Sequence, residues 1–554
     1  KAIYKYHIQK MDYKLFFLFF TVSINFLLLI SSSPIANTYN YTLPPSKPVT
    51  PDYICKFTPY PTSCKSLLPN KTSNVYDFAR FTIFKSLSQT LRFQTLVNKF
   101  LHLGAGLPKP TVAALEDCQF LAGLNVEYLS SSLGSINATH SALPGWKTED
   151  IQTLLSAILT NQETCYDGLK SATSSSWMVR KGLFAPLAND TKLFSVSLAL
   201  FTKGWVPNNI KKKLVRSVVL ETGNDVDHSK VVVVREQVTV SQDGSGNFTS
   251  INDAVAAAPN KTMGSGGYFV IHVKAGVYEE YVSIGKNKRY LMLIGDGINQ
   301  SVITGNRSVV DGWTTFKSAT FAVTGQGFVA VNITFRNTAG ASKHQAVAVR
   351  NSADLSAFYS CSFQGYQDTL YTHSLRQFYR QCDIYGTVDF IFGNAAVVFQ
   401  NCNLFPRLPM SGQFNAITAQ GRTDPNQNTG ISIHNCTVRA ADDLAASSSG
   451  GGNAKTYLGR PWKEYSRTVY MQSYMDNVVD VAGWREWNGD FGLSTLYYAE
   501  HDNRGPGSET AKRVTWPGYH VINATDAENF TLSSFLLADN WLPQTGVAYT
   551  NGLI

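Results

Sequence analysis

Residues 364–394 read QGYQDTLYTHSLRQFYRQCDIYGTVDFIFGN, and the spacing within this stretch decides the fold. Asp368 and Asp389 stand 21 residues apart. Cys361 and Cys382 are also separated by 21, Cys402 follows 20 later, and Gln345 and Gln367 differ by 22. A step of about 20 residues that returns a chain to the same lateral position is one coil of a β-solenoid. Neighbouring strands lie roughly 4.8 Å apart, so residues one coil apart in sequence become neighbours in space. The spacing therefore predicts that Asp368 and Asp389 form a carboxylate pair on adjacent coils.

A short phrase repeats outward from that stretch: NITF at 332, SCSF at 360, QCDI at 381, NCNL at 401 and NCTV at 435. Each has a polar residue, then Ile or Cys, then a variable residue, then an apolar one. Stacked coils would align Ile333, Cys361, Cys382, Cys402 and Cys436 in one inward ladder, where a small thiol suits a tight interior. Adjacent rungs also approach the separation a disulfide accepts, so Cys382–Cys402 and Cys361–Cys382 both stand as possible bridges. From residue 231 onward the texture is short β-branched and aromatic runs: 268–273, 290–295, 328–335 and 396–404. No long amphipathic helix separates them, which argues against a βαβ sheet and leaves a sandwich or barrel as the rival to a solenoid.

The N-terminal half has a different period. Residues 75–103 carry Phe78, Phe81, Phe84, Leu87, Leu91 and Leu96 at roughly helical spacing, read as a core-facing stripe. Further helical patterns cover 111–133, 148–169 and 191–201, with Cys118 and Cys165 inside two of them and Cys55 and Cys64 bracketing a short loop upstream. Four helices and four cysteines predict a disulfide-stapled bundle with three possible pairings. Before it, residues 15–30 form an apolar run behind Lys14 and ahead of SSSPIA, which reads as a secretory signal rather than a short anchor. Met11 reads as the initiator, with the preceding ten residues outside the protein proper. The expected organisation is a signal region at 1–36, a Pro-rich linker at 37–51, a helical region at 52–206, a basic linker at 207–230 and a β region at 231–554. Many Asn-x-Ser/Thr sequons, among them Asn137, Asn189, Asn247, Asn306 and Asn523, agree with secretion.

The formal charge of +9 invites a nucleic-acid reading, but the excess is confined to one end. Residues 1–214 hold 22 Lys and Arg against 11 Asp and Glu, whereas 215–554 hold 26 against 28. No nucleic-acid partner is therefore expected, and the chain is expected to act as a monomer.

Two carboxylates held close resist ionising together, which supplies one nucleophile or base and one general acid. Arg460 in LGRPW is placed to hold one of them ionised. Gln345 and Gln367 offer amide N–H groups to a developing oxyanion, and Trp462 offers a flat apolar face for a sugar ring. Gln367 and Asp368 are consecutive, so a regular strand would send them to opposite faces, and a bulge or bend is required if both serve one site. Each residue also has a plain structural reading: Asp368 as a turn cap, Asp389 as an ion-pair partner, Trp462 as core.

Five segments in order resemble the signatures of plant pectin methylesterases: HQAVAVR (344–350), GYQDTLY (365–371), GTVDFIFGNAAVVFQ (386–400), ITAQGR (417–422) and YLGRPW (457–462). The resemblance runs from residue 242 to 553. The helical half, with its cysteines at 55, 64, 118 and 165, resembles the pectin methylesterase inhibitor family. Together these imply an all-α four-helix bundle followed by an all-β right-handed parallel β-helix. They imply Asp389 as nucleophile on a galacturonate methyl ester, Asp368 as proton donor and then base, and Gln367 with Gln345 as oxyanion stabilisers. Arg460 would hold Asp389, and Trp462 and Thr315 would contact substrate. They also imply the pairs Cys55–Cys64, Cys118–Cys165 and Cys382–Cys402, no metal and no cofactor. The implied partners are methyl-esterified pectin and an inhibitor, either the chain's own helical region or a separate protein, in the cell wall.

Two departures from the family pattern stand out. The processing motif in such precursors reads Arg-Arg-Leu-Leu or Arg-Lys-Leu-Leu, whereas here it is Lys211-Lys212-Lys213-Leu214. Many members have strongly basic esterase regions that cling to acidic pectin, and the near-neutral count here predicts looser retention on the wall. The run SSSGGGN (447–453) ahead of LGRPW lengthens a Gly/Ser loop near the site. Two rival functions remain at this level: a pectin-binding or inhibitory protein with a silent esterase, and a lyase or polygalacturonase on the same solenoid. A lyase would call for clustered calcium-ligating acids, which the sequence lacks.

Overall fold

The computed structural model describes residues 47–103, 106–138, 143–172, 176–206, 232–449 and 454–554. The signal region, most of the linker at 37–51, the basic linker at 207–230 and the greater part of the 447–453 loop lie outside the described residues.

Four long helices form the N-terminal half: α1 (Val75–His102), α2 (Lys109–Asn137), α3 (Gly145–Ala172) and α4 (Trp177–Trp205). Each packs on its sequence neighbour, and α1 closes on α4, which makes a four-helix bundle. Cys118–Cys165 ties α2 to α3, and Cys55–Cys64 closes the short hairpin ahead of α1. The last helix starts 14 residues earlier than its pattern predicts and runs through Pro186, because its apolar set continues upstream at Val179, Leu183 and Leu187.

The stripe expected on α1 is corrected. Phe78 is buried, but Phe81, Phe84 and Leu91 face solvent at 37%, 60% and 47% exposure. A three-residue step drifts around a helix of 3.6 residues per turn. The buried face instead follows Phe78, Thr82, Ser86, Thr90, Phe93 and Val97. Its hydroxyls survive burial because each donates back to the preceding turn: Thr82 to Ala79 O at 3.0 Å, Ser86 to Thr82 O and Thr90 to Ser86 O, both at 2.9 Å.

The C-terminal half is a parallel β-helix. Among the described residues its strands form three sheets of 11, 7 and 8 strands; the two smaller sheets take every third strand in sequence, and the 11-stranded sheet does so except at its two ends. Each coil thus lays one strand on each wall. All named strand pairs are parallel, and the register reproduces the predicted step: Leu370 pairs with Ile391, 21 residues on, and Arg376 with Ala396, 20 on. The seven-stranded wall consists of β1 (Val282–Ile284), β2 (Phe321–Val323), β3 (Val349–Asn351), β4 (Leu370–Thr372), β5 (Ile391–Gly393), β6 (Asn415–Gln420) and β7 (Thr456–Gly459), in spatial order.

The repeated phrase has a backbone cause. Its first, polar residue takes the left-handed conformation at a corner of each coil: Asn332 (φ 58°), Ser360 (50°), Gln381 (51°), Asn401 (56°) and Asn435 (50°). Asn tolerates that region better than most side chains. The next residue then turns inward, so Ile333, Cys361, Cys382, Cys402 and Cys436 line the interior at 0–1% exposure. Phe358, Tyr379 and Phe399 stack beside them, with centroids 5.0 and 4.7 Å apart.

The implied Cys382–Cys402 bridge is corrected: all four ladder cysteines are buried thiols. Each is satisfied without a bridge. Cys382 Sγ donates to Arg380 O at 3.3 Å, and Cys402 Sγ accepts the Cys382 N–H at 3.4 Å. Parallel stacking points the thiols up one column, where carbonyls of the same and the neighbouring coil serve as acceptors.

Candidate active site

Asp368 and Asp389 fall on adjacent coils of the seven-stranded wall, just before β4 and β5. The backbone ties them together: the Asp368 N–H donates to Val388 O at 3.0 Å, and the Leu370 N–H to Phe390 O at 2.9 Å. Both acids hold positive φ, 62° and 53°. Such strain in a non-glycine residue persists only where the surroundings enforce it, and it gathers at functional sites. It also removes the difficulty of Gln367 and Asp368 being consecutive, because a left-handed residue breaks strand alternation. The 22-residue offset of Gln345 and Gln367 has its own cause. Ala348 and Val349 both donate to Thr369 O, at 2.9 and 3.3 Å, the mark of one extra residue in that coil. The Ala346 N–H donates to Gln367 O at 3.2 Å, so Gln345 and Gln367 sit one coil apart, next to the acids.

Arg460, one residue past β7, holds Asp389 through two parallel bonds, Nε to Oδ1 at 2.7 Å and Nη2 to Oδ2 at 2.6 Å. Its guanidinium lies 4.2 Å from the Trp487 ring centroid and 5.2 Å from that of Phe414. Burial pushes both carboxyls upward. Arg460 draws Asp389 down against that push, while Asp368, facing the Asp389 charge with Arg460 further off, is driven well above the carboxylate range. Both carboxyls stay above their free value, with Asp368 driven higher, so Asp389 is the member that ionises first.

Trp462 borders the same floor, 6.0 Å from Phe392 and 6.5 Å from Tyr371, which stack on each other at 4.2 Å. Its ring has room because residue 421 is glycine, where a Cβ would meet it at 2.8 Å. Thr315 lies on the segment ahead of β2, where its carbonyl accepts Ser318 Oγ and its neighbour Thr314 reaches the helical half. Arg350 stacks over Phe316 at 3.6 Å. The sequence reading missed Tyr371, Phe392, Phe414, Trp487, Arg350 and Lys463. Tyr371, Phe392 and Arg350 lie inside the quoted motifs and Lys463 directly follows RPW, but no repeat marks Phe414 or Trp487. Among the described residues no cluster of His, Cys, Asp or Glu is arranged to hold a metal ion.

The helical half lies over this floor. Thr164 of α3 sits 3.0 Å from His373 Nε2 and 3.5 Å from the Tyr371 hydroxyl, and Asn394 donates to Thr160 at 2.9 Å. Lys463 is gripped by Glu163 Oε1 at 2.6 Å and Asp167 Oδ2 at 2.7 Å, both on α3. Arg376 meets Asp150 at 2.7 Å, and Thr314 donates to Asp117 of α2 at 2.6 Å. Asp368 and Asp389 retain only 7% and 5% exposure. Burial pushes the Asp117 carboxyl up to about 6.

Two family models match this chain: Pectinesterase over residues 237–539, and Plant invertase/pectin methylesterase inhibitor over residues 50–200. Two Arabidopsis thaliana proteins named probable pectinesterase/pectinesterase inhibitor 7 and 41 are each 59% identical to it, over 90% of this chain and 95% and 94% of their own lengths. The solved structure of a pectin methylesterase from carrot is 54% identical, with a TM-score of 0.55, and corresponds to 57% of this chain and 98% of its own.

Proposed function

The chain belongs to the pectinesterase family, with a pectin methylesterase inhibitor region ahead of the esterase, and from that premise we propose that its acid pair hydrolyses the methyl esters of homogalacturonan. The observation that carries the reading is the two-pronged grip of Arg460 on a buried Asp389, with a second buried acid, Asp368, bonded through its backbone to Val388 on the same coil as Asp389.

Asp389 attacks the ester carbonyl carbon, and the carbonyl π pair moves onto oxygen. Gln345 and Gln367 donate amide N–H bonds to that oxyanion; one such donor is worth about 10²–10³ in rate. As the tetrahedral species collapses, the C–O bond to the methoxy group breaks and Asp368 gives its proton to the departing methanol. The result is an acyl-enzyme on Asp389 and an ionised Asp368. Asp368 then takes a proton from water as the oxygen attacks the acyl carbon. Collapse of the second tetrahedral species frees the Asp389 carboxylate and a galacturonic acid, which gives up its remaining proton to solvent, while Asp368 is left protonated for the next cycle. Trp462, Phe392 and Tyr371 supply the apolar faces on which sugar rings stack, and Thr315 borders the same groove.

The setting is the cell wall, reached by secretion. The docked helical half covers the groove, so the intact chain is a restrained form, and detachment of that half, by cleavage within residues 207–230 or by undocking, opens it. Methanol release from methylated pectin by the 232–554 segment, measured beside its Asp389→Asn form, tests the chemistry. An active segment silenced by the substitution supports it; equal release by both refutes it.

A further inference from the structure

Among the described residues, the ion pairs across the helix–β-helix interface all run one way. Glu127 meets Lys286, Glu116 meets Lys317, Asp150 meets Arg376, and Glu163 with Asp167 meets Lys463; every acid comes from the helices and every base from the β-helix. The esterase half as a whole carries slightly more acid than base, yet four of its cations, Lys286, Lys317, Arg376 and Lys463, meet acids on α2 and α3. The low overall charge from which loose wall retention was expected therefore says nothing of the groove.

Lys463 is the most secluded of the three lysines, with 15% of its side chain exposed against 33% and 37% for Lys317 and Lys286. It follows Trp462, with its ammonium 5.3 Å from that ring's centroid. Both of its recorded ion-pair partners belong to α3, one helical turn apart, and the same helix rests Thr164 on the site floor. Removing α3 leaves this ammonium facing the groove. Its segment leaves β7, two strands along the wall from β5, a rise of roughly 10 Å along the solenoid at about 4.8 Å per strand.

We propose that Lys463 is a subsite for the free carboxylate of a galacturonate that already lacks its methyl group, held beside the residue under attack, and that Glu163 and Asp167 fill it in the docked chain as carboxylate stand-ins. The inference rests on the esterase reading above. An ammonium discriminates strongly between the two states of the sugar: it makes a charge-assisted bond to a carboxylate and only a weaker neutral one to an ester. Lys463 thus selects substrate by the state of the neighbouring unit, while Asp389 acts on the ester itself.

The test uses the 232–554 segment, which corresponds to nearly the whole of a separately folded chain in the carrot relative. kcat/KM is measured on partly de-esterified and on fully methylated oligogalacturonate. Lys463→Gln is expected to lower the ratio of the two by about tenfold, the value of one hydrogen bond to a charged group, and Lys463→Arg to restore most of it. Binding of fully de-esterified oligogalacturonate to the Asp389→Asn segment is expected to weaken by a similar factor in the Lys463→Gln background, a readout independent of turnover. An unchanged ratio with unchanged binding, or an equal loss on both substrates, overturns the proposal while leaving the esterase reading intact. A parent segment that releases no methanol overturns both.

Discussion

Asp389 and Arg460, 71 residues apart, meet through two parallel hydrogen bonds in a site where Asp389 keeps 5% of its surface. Planar two-point pairing is what a guanidinium provides and an ammonium does not. Removing Arg460 leaves a buried carboxylate without its cation, a loss of about 3–5 kcal/mol for pairs of this kind. Since Arg460 lowers the Asp389 pKa, Arg460→Gln raises it, and ionised Asp389 then forms only at higher pH. The acidic limb of kcat/KM against pH is expected to move upward in the variant 232–554 segment, with Arg460→Lys intermediate. An acidic limb that stays in place in Arg460→Gln would mean that Arg460 does not set the charge of Asp389.

Charge reversal on α3 opens the groove. Glu163→Lys with Asp167→Lys turns the clamp on Lys463 into like-charge repulsion in a partly buried setting, without touching the esterase half. Methanol release by the full chain is expected to rise toward that of the 232–554 segment. The helical bundle keeps its core, because both positions lie at the interface rather than inside it; far-UV circular dichroism checks this. A parent full chain already as active as the segment would show that docking does not restrain it.

Much of this organisation is legible from spacing alone. The 20–22-residue step and the NITF-type phrase are imposed by the coil itself, whose corners demand a left-handed polar residue before an inward one, as at Gln381-Cys382 and Asn401-Cys402. A feature that recurs on each coil leaves a period in the sequence. Docking leaves none: Lys463 and Glu163 are 300 residues apart, and Asn428 and Thr153 are 275 apart, joined once and without repetition. Phe81 and Phe84 misled for a related reason, since aromatic spacing suggested a core face while the buried face was built from Thr82, Ser86 and Thr90, whose hydroxyls bond to their own helix. The family likeness located the acid pair, and the left-handed backbone at Asp368 breaks the alternation that would send it and Gln367 to opposite faces of a regular strand.

The cysteine ladder separates this structure from the pairing that its family likeness implies. Unfolded in guanidinium without reductant, the chain is expected to expose four reactive thiols, from Cys361, Cys382, Cys402 and Cys436, with Cys55–Cys64 and Cys118–Cys165 intact. A count of two would place a bridge in the ladder. Reduction is then expected to act on the helical half alone. Opening Cys118–Cys165, which spans 47 residues, costs about 4 kcal/mol in the chain-entropy account, so the bundle's melting transition falls while that of the β-helix stays in place.

Docking is expected to weaken as pH rises from about 4 to above 6. Asp117 of α2 is almost wholly buried against the β-helix, where it accepts from Thr314 with Lys317 and Arg350 on the far side and Glu116 beside it on α2. Burial outweighs these partners and pushes its carboxyl up to about 6, from 3.8 when free. The docked form therefore binds a proton more tightly than the undocked form, so docking takes up a proton. That contribution is complete below about 3.8 and gone above about 6, and a difference of about two units corresponds to roughly 3 kcal/mol, or about a hundredfold in the docking constant. Asp150 against Arg376, Asp167 against Lys463 and Asp424 against Ser195 are shifted the same way by the same cause, burial, and add to the trend. Dividing the methanol release of the full chain by that of the 232–554 segment at each pH cancels the titration of Asp368 and Asp389. The quotient is expected to climb between pH 4.5 and 7, and Asp117→Asn to flatten the climb. A quotient that stays level, or falls, would place the control of this interface elsewhere than in its buried carboxyls.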